Sequence, residues 1–102
     1  MRLSDSRLKV MGQFLEGESK ELTGADLIRN TGLASGTVYP ILVLFEEQDI
    51  LASRWETEDP RVLERPRKRL YHLTAHGEEV ARDAARNSFL PFVRLAGESV
   101  KP

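Results

Sequence analysis

Four basic residues stand close together in the second half of the chain, and their side chains are of the kind that bind phosphate groups. They are Arg65, Arg67, Lys68 and Arg69, and Pro66 lies between the first two. Guanidinium and ammonium groups hold phosphate oxygens through charge-assisted hydrogen bonds, and the fixed backbone of proline favours an extended segment. The cluster therefore predicts contacts to a phosphate backbone. The alternative is a solvated loop tip, since many charged side chains at a protein surface bind nothing except water.

A second polar set lies upstream, in a segment that predicts an uncharged helix. Apolar residues recur there at helical spacing and would form a buried stripe: Val38, Ile41, Leu42 and Phe45. The residues that turn outward near the helix start are Ser35, Thr37, Tyr39 and Pro40. Short hydroxyl and apolar side chains in this position can reach base edges in the major groove of DNA, and Ser35 is also expected to cap the helix. The alternative is that Thr37 is solvated and Tyr39 covers an edge of the core.

The segment before this helix predicts a shorter helix that ends in a tight turn. Thr23 is a good N-cap residue with Asp26 three positions later, Leu27 and Ile28 supply an apolar face, and residues 30–32 supply the stop. Two helices joined by so short a turn are typical of a helix-turn-helix. A compact helical bundle would show the same helices, so this segment leaves both interpretations open.

Downstream of the helix pair, the hydrophobic pattern changes from helical spacing to alternation, which predicts two strands. Leu51, Ser53 and Trp55 would share one face of the first strand, and residues 69–73 form the second. Residues 57–68 between them are long for a hairpin turn and hold most of the basic cluster. A long, basic hairpin beside a helix-turn-helix is a wing, which lies along the phosphate backbone or enters the minor groove. Core packing is predicted for Trp55, with ligand stacking as the alternative.

The N-terminal segment predicts one further helix. Ser4 or Asp5 can cap it and Gly17 ends it. The residues that would share its buried face are Leu8, Met11 and Leu15, with Phe14 at the border. Residues 21–23 are expected to pair briefly as an edge strand before the helix pair begins.

The C-terminal segment predicts a dimerisation helix with Thr74 as its N-cap. Ala81 and Ala85 would let another helix come close, and Pro91 must bend or end the helix. Its apolar end is concentrated in five residues: Phe89, Leu90, Phe92, Val93 and Leu95. Because one small domain can cover little apolar surface, we expect the two alanines and this apolar end to form a homodimer interface. Docking of the helix on its own domain is the alternative.

Length and composition limit the classes open to the chain. With 102 residues, 40% hydrophobic and 30% charged, a single domain is expected, mainly α with a small β-hairpin. A formal net charge of -1 argues against indiscriminate nucleic-acid binding. Without cysteines, a long apolar run or a signal-peptide pattern, the sequence predicts a cytoplasmic protein with no membrane partner.

The sequence shows neither a catalytic pattern nor a metal-binding pattern. The sequence has no glycine-rich phosphate loop and no nucleophile paired with a histidine, so an enzyme is not predicted. His72 and His76 are four residues apart but straddle a strand end and a helix start, without a third ligand nearby. We therefore expect no metal site and no cofactor.

Several of these segments together resemble the PadR family of winged-helix transcriptional regulators, in particular its short members with a single C-terminal helix. The most specific parts are Ser35-Gly36-Thr37-Val38-Tyr39-Pro40, Leu42 with Phe45-Glu46-Glu47, Trp55, and Arg65-Pro66-Arg67-Lys68 leading to Tyr71-His72-Leu73-Thr74. The resemblance covers residues 24–80, with Glu64 standing where a glycine usually opens the basic wing motif. It implies a homodimer that binds operator DNA, usually as a repressor, sometimes released by a small molecule.

The sequence therefore predicts a winged helix-turn-helix over residues 1–73 and a C-terminal dimerisation helix over residues 74–102, within one compact unit. The predicted function is sequence-specific binding of double-stranded DNA by a homodimeric repressor at an inverted-repeat operator, with a small-molecule effector as a further partner. One alternative is a winged-helix protein-interaction module, suggested by the apolar Val43 and Leu44 in an uncharged helix. Another is a MarR-like ligand-responsive regulator.

Overall fold

A helix-turn-helix, a two-stranded antiparallel hairpin and a last helix follow one another along the chain. The computed structural model describes residues 2–16 and 21–87. The helices are α1 (Asp5–Glu16), α2 (Gly24–Thr31), α3 (Ser35–Glu47), α4 (Pro60–Leu63) and α5 (Ala75–Asn87), and the strands are β1 (Leu51–Trp55) and β2 (Arg69–Leu73). The predicted fold class, mainly α with a small β-hairpin, is confirmed.

Helix α1 supplies a larger share of the core than its predicted stripe. The backbone carbonyl of Ser4 accepts from the amide of Leu8 at 2.9 Å, which starts the helix where the sequence predicts. Leu15 is only half-buried, whereas Phe14, predicted at the border, is buried. Because α1 contacts α2, α3 and α5, a broader arc of it is covered than one stripe. Its buried residues are Leu8, Val10, Met11, Gly12 and Phe14.

Helix α2 has the predicted signals at both ends. The Thr23 hydroxyl accepts from the Asp26 amide at 3.0 Å, and the Asp26 carboxylate accepts from the Thr23 amide at 3.0 Å. The Thr23 amide, ahead of Arg29, lowers the pKa of Asp26 below its ordinary value. Gly32 ends the helix with a φ of 78°, a left-handed conformation that glycine adopts without strain. These caps fix the short turn that orients α3.

Helix α3 packs on the domain through the predicted stripe but begins differently from the prediction. Val38, Ile41, Leu42 and Phe45 are all buried. The prediction that Ser35 caps this helix was wrong. Ser35 is the first helical residue and Ala34 is the N-cap, which makes no side-chain hydrogen bond to the helix. The Ala34 carbonyl accepts from the Thr37 amide at 2.9 Å and from the Val38 amide at 3.0 Å. The Ser35 side chain is therefore exposed at the start of α3.

The two predicted strands pair as an antiparallel hairpin. Leu51 lies opposite Leu73, Ser53 opposite Tyr71, and Trp55 opposite Arg69. Leu22 forms a single bridge to Tyr71, which confirms the brief edge pairing expected before α2. Burial decreases along β1, from fully buried Leu51 to exposed Trp55. The hairpin therefore starts in the core and extends beyond it.

Helix α5 returns the chain to α1. The Thr74 hydroxyl accepts from the Gly77 amide at 2.8 Å, so the predicted cap is confirmed. Ala81 has no exposed surface and belongs to the domain's own core, while Ala85 is half-buried against it. Ala81 therefore has no side-chain surface to offer a partner, which removes it from the predicted dimer interface. Phe89, Leu90, Pro91, Phe92, Val93 and Leu95 lie outside the described residues, as does Gly17.

No helix in the described ranges is both long and apolar enough to cross a membrane.

Candidate nucleic-acid interface

The outer face of α3 presents the polar residues that the sequence singles out. Ser35 and Pro40 are exposed, Thr37 is half-buried, and Tyr39 is 46% exposed. Val43, one turn further along, is also exposed. The first turns of this face therefore offer hydroxyls, an aromatic ring and an aliphatic side chain, and the charged Glu46 and Glu47 follow only at the end of the helix.

Tyr39 is held close to the start of α2. A Cβ atom on Gly24 would lie 2.6 Å from the Tyr39 hydroxyl oxygen, so only a glycine there leaves room for the ring in this position. The ring thus leans over the first turn of α2, a helix start that carries partial positive charge. Its hydroxyl is placed where an anionic group could meet both helices.

The wing loop, residues 56–68, is organised by Glu56. Its carboxylate accepts from the Arg65 guanidinium at 2.7 and 3.1 Å and from the Lys68 amide at 2.8 Å. Arg65 first and the Lys68 amide second lower the pKa of Glu56 to about 2. The carboxylate is therefore charged under ordinary conditions and holds both sides of the loop.

One helical turn, α4, stands inside this loop where the sequence predicts only a long hairpin connection. The Asp59 carboxylate accepts from the Arg61 amide at 2.9 Å, and Pro60 occupies the first helical position. Glu64 ends the turn with a φ of 60°, in the left-handed region. The prediction missed α4 because Asp-Pro is also a common start of an ordinary turn. The helix places Val62 outward, 75% exposed.

Trp55 corrects a prediction, since it is 55% exposed rather than packed in the core. Alternation assigned its face correctly, but the strand has already passed the edge of the core at this position. The Arg69 guanidinium lies 5.0 Å from the centre of the indole ring, a cation–π contact between cross-strand partners. Arg69 also donates to the Ser53 hydroxyl at 2.9 Å. Two residues of the wing are thereby fixed against each other.

The remaining cations of the cluster project from the loop. The Nε atom of Arg67 donates to the Glu58 carbonyl at 2.8 Å, which orients the guanidinium, and its two terminal nitrogens make no hydrogen bond to the described residues. The Lys68 ammonium makes no hydrogen bond or ion pair within the described part of the chain. Both side chains are exposed.

Two grooves bring these residues together. The first combines Tyr39 of α3 with Lys68 and Arg69 of the wing, over the start of α2. The second lies on the wing itself and includes Arg65 and Arg67 beside Trp55. Sequence reasoning found all of these cations and missed Glu56, whose role depends on a residue nine positions further along that the loop brings back to it.

A helix-turn-helix whose second helix exposes its first turns, followed by a basic antiparallel hairpin, is the arrangement of the winged-helix class of transcriptional regulators. The family model described as the transcriptional regulator PadR-like family matches residues 18–83, well over half of the chain. The chain belongs to this PadR-like family. Its members are regulators and not enzymes, and membership decides against the MarR-like alternative. No curated protein matches the chain.

Solved structures share the fold at low sequence identity. Bacillus subtilis PadR in complex with operator DNA matches with a TM-score of 0.61 and 19% identity over 76% of this chain and 44% of that one. Bordetella bronchiseptica BpsR, whose DNA binding is regulated by 6-hydroxynicotinic acid, matches with a TM-score of 0.66 and 18% identity. That match covers 95% of this chain and 64% of BpsR. A PadR family transcriptional regulator from Eggerthella lenta matches with a TM-score of 0.64 and 19% identity, over 94% of this chain and 82% of that one. The chain thus spans less than two thirds of the first two proteins.

Proposed function

We propose that this PadR-like regulator binds double-stranded DNA in a sequence-specific manner and acts as a repressor. The observation that supports this most directly is the groove shared by Tyr39 of α3 with Lys68 and Arg69 of the wing. A duplex lying along it would meet the outer face of α3 and the wing cations together. The proposed DNA-binding residues are Ser35, Thr37, Tyr39, Pro40, Arg65, Arg67, Lys68 and Arg69. The resemblance in fold to PadR, solved with operator DNA, supports the same assignment.

The two parts of the surface have different tasks in this proposal. The wing cations neutralise phosphates and fix the protein on the duplex, without reading sequence. The side chains of α3 face the major groove, where hydroxyl and apolar groups can meet base edges and thymine methyls. Since the chain carries a net charge of -1, affinity must come from these local cations and not from the charge of the whole molecule.

A homodimer and an inverted-repeat operator complete the proposal. The proposed interface consists of Ala85 with Phe89, Leu90, Phe92 and Val93, and the last four lie outside the described residues. A two-fold axis would present two copies of α3 to successive turns of DNA, about 34–36 Å apart. The operator must then carry the same half-site twice in inverted orientation.

A small-molecule effector belongs to the proposal as a further partner. BpsR, a protein of similar fold, has its DNA binding regulated by 6-hydroxynicotinic acid. A ligand that binds only the DNA-free form of this chain would lower its DNA affinity by linkage. Loss of duplex binding on addition of a compound, reversed by its removal, would identify such an effector.

Salt-dependent retention on immobilised double-stranded DNA tests the DNA-binding proposal. The wild type should be retained at low salt and released as salt rises, because each phosphate contact displaces counterions. Thr37→Ala and Tyr39→Ala should each cost about 1–3 kcal/mol of binding free energy if a base contact is lost, and less for a phosphate contact. If both variants fold and are retained like the wild type, α3 is not the recognition helix.

A second candidate function is a protein-interaction module without DNA binding. The observation that favours it is Val43, an apolar side chain of α3 that is 54% exposed. Exposed apolar groups of this kind occur at the centre of protein interfaces. Absence of any salt-dependent retention on DNA would support this function and overturn the first.

A further inference from the structure

An acidic side chain lies at the centre of the basic wing. The carboxylate of Glu56 accepts two hydrogen bonds from Arg65 and one from the Lys68 amide, all between 2.7 and 3.1 Å. A carboxylate beside a phosphate-binding surface repels the phosphates and should lower affinity for DNA. If Glu56 favours DNA binding, it must do so through an effect on the wing that outweighs this repulsion.

Glu56 also closes the base of the wing loop through its backbone. Its amide donates to the Lys68 carbonyl at 2.9 Å, one pair beyond the Trp55–Arg69 pair that ends the ladder. Lys68 is thus held by the main chain and the side chain of one residue. The same carboxylate holds Arg65, so the returning half of the loop is fixed at two points.

These contacts divide the four cations into two pairs. Arg65 is half-buried and is committed to Glu56 and to the Pro66 carbonyl, which accepts at 3.1 Å. Arg69 is committed to Trp55 and Ser53. Arg67 and Lys68 lie between these anchored residues and keep their charged ends exposed.

We propose that Glu56 is a positioning residue for DNA binding, which holds the wing loop so that Arg67 and Lys68 meet adjacent phosphates. The inference rests on the proposed function. This narrows the proposed function at one residue, because Arg65 then contributes to DNA binding by holding Glu56 and not by contacting a phosphate itself. An acidic residue in this place raises DNA affinity, because it fixes two exposed cations that a free loop would leave disordered.

Two charge-matched variants separate this role from simple electrostatics. Glu56→Gln and Glu58→Gln each remove one negative charge from the same loop. The Glu58 carboxylate makes no hydrogen bond or ion pair with any described residue, so its variant is the control. We expect Glu56→Gln to weaken duplex binding about fivefold or more and to reduce the salt slope by about 1. Glu58→Gln should bind as tightly as the wild type or slightly more tightly.

The salt slope distinguishes positioning from a loss of folded protein. A variant that is merely less stable has fewer active molecules but unchanged phosphate contacts, so its slope stays that of the wild type. Unfolding of each variant in urea measures stability separately. An unchanged slope for Glu56→Gln would overturn the positioning role.

A double-variant cycle with Arg65 tests the second half of the inference. If Arg65 acts only through Glu56, the Glu56→Gln, Arg65→Gln double variant binds no more weakly than either single variant. If Arg65 were itself a phosphate ligand, its substitution would weaken binding further in the Glu56→Gln background. That additive result would overturn the assignment of Arg65.

Failure of this inference can be told apart from failure of the proposed function. A wild type that does not bind DNA overturns the function and with it any positioning for DNA, whereas amide exchange at Lys68 still reports the Glu56 contact in the free protein. A wild type that binds, together with a Glu56→Gln variant that binds as tightly, overturns the positioning role alone. Faster Lys68 amide exchange in Glu56→Ala, which removes the side-chain acceptor, than in Glu58→Ala is the result expected without DNA.

Discussion

Neighbouring basic side chains in the wing differ in what they are free to do. Arg65 and Arg69 are occupied by Glu56 and by Trp55, whereas Arg67 and Lys68 keep their charged ends in solvent. The difference comes from partners across the loop and across the hairpin, and not from the cations themselves. At the scale of the residue, we therefore expect phosphate contacts from Arg67 and Lys68, whereas Arg65 and Arg69 hold the wing in place.

Replacing either free cation tests that concentration. Arg67→Ala and Lys68→Ala should each weaken binding to all DNA sequences alike and reduce the salt slope by about 1, because one phosphate contact is lost. Arg86→Ala, in the last turn of α5, is the matched control and should leave the slope unchanged. Binding isotherms at several salt concentrations provide the measurement. Equal slopes for the wing and control variants would remove the wing from the interface.

The bonds to Glu56 also predict how stability depends on pH. Arg65 and then the Lys68 amide lower the pKa of Glu56 from 4.5 to about 2 in the folded protein. Because the folded value is the lower one, the stabilising contribution is present above about pH 4.5 and is lost as pH falls toward about 2. The free energy of unfolding of the wild type should thus exceed that of Glu56→Gln by a constant amount at neutral pH, and the difference should shrink in acid. Urea unfolding of both proteins over this range would contradict the assignment if the difference stayed constant.

At the scale of the element, α5 meets the end of α3 and the start of β1 with almost no space between backbones. A Cβ atom on Gly77 would lie 2.0 Å from the Ile50 carbonyl oxygen, closer than any stable contact. The same carbonyl accepts from the Thr74 amide at 3.0 Å, which brings the first turn of α5 onto it. This contact fixes the angle at which α5 leaves the hairpin.

Alanine substitution at two glycines tests this contact. Gly77→Ala should destabilise the fold by about 1–3 kcal/mol, because the added methyl group must displace backbone. Gly36→Ala meets open space in α3 and should be neutral or stabilise by up to about 1 kcal/mol, since alanine favours helix. Chemical unfolding measures both. A Gly77→Ala protein as stable as the wild type would show that α5 can shift freely.

How far the sequence predicts each element depends on what covers it. The stripe of α3, the caps of α2 and the strand pairing follow from periodicity and from local hydrogen bonds, so they were predictable. The exposure of Trp55 was not, because alternation assigns a face but not the point at which the core ends. Helix α4 was not predictable either. It depends on a cap at Asp59 and on a left-handed conformation of Glu64, and both features also occur in ordinary turns. The role of Glu56 was not predictable from the sequence either, because only the folded loop brings Arg65 beside it.

At the scale of the whole molecule, association should depend on the apolar C-terminal end. Phe89 and Phe92 lie outside the described residues, and each such side chain contributes about 1.5–3 kcal/mol when it leaves water. We expect the wild type to sediment as a dimer at micromolar concentration and the Phe89→Asp, Phe92→Asp double variant as a monomer. Asn87→Asp, a charge change at the exposed end of α5, is the control. A monomeric wild type, or a dimeric double variant, would contradict the homodimer proposal.

Selection of bound sequences from random double-stranded DNA tests the central claim most directly. A two-fold dimer with one α3 in each of two successive major grooves should enrich an inverted repeat whose half-sites are centred about 10–10.5 base pairs apart. The Tyr39→Ala variant should lose this enrichment while keeping weak, salt-dependent binding through the wing. Enrichment of no sequence by the wild type, at a salt concentration where the folded protein is intact, would contradict sequence-specific DNA recognition by α3.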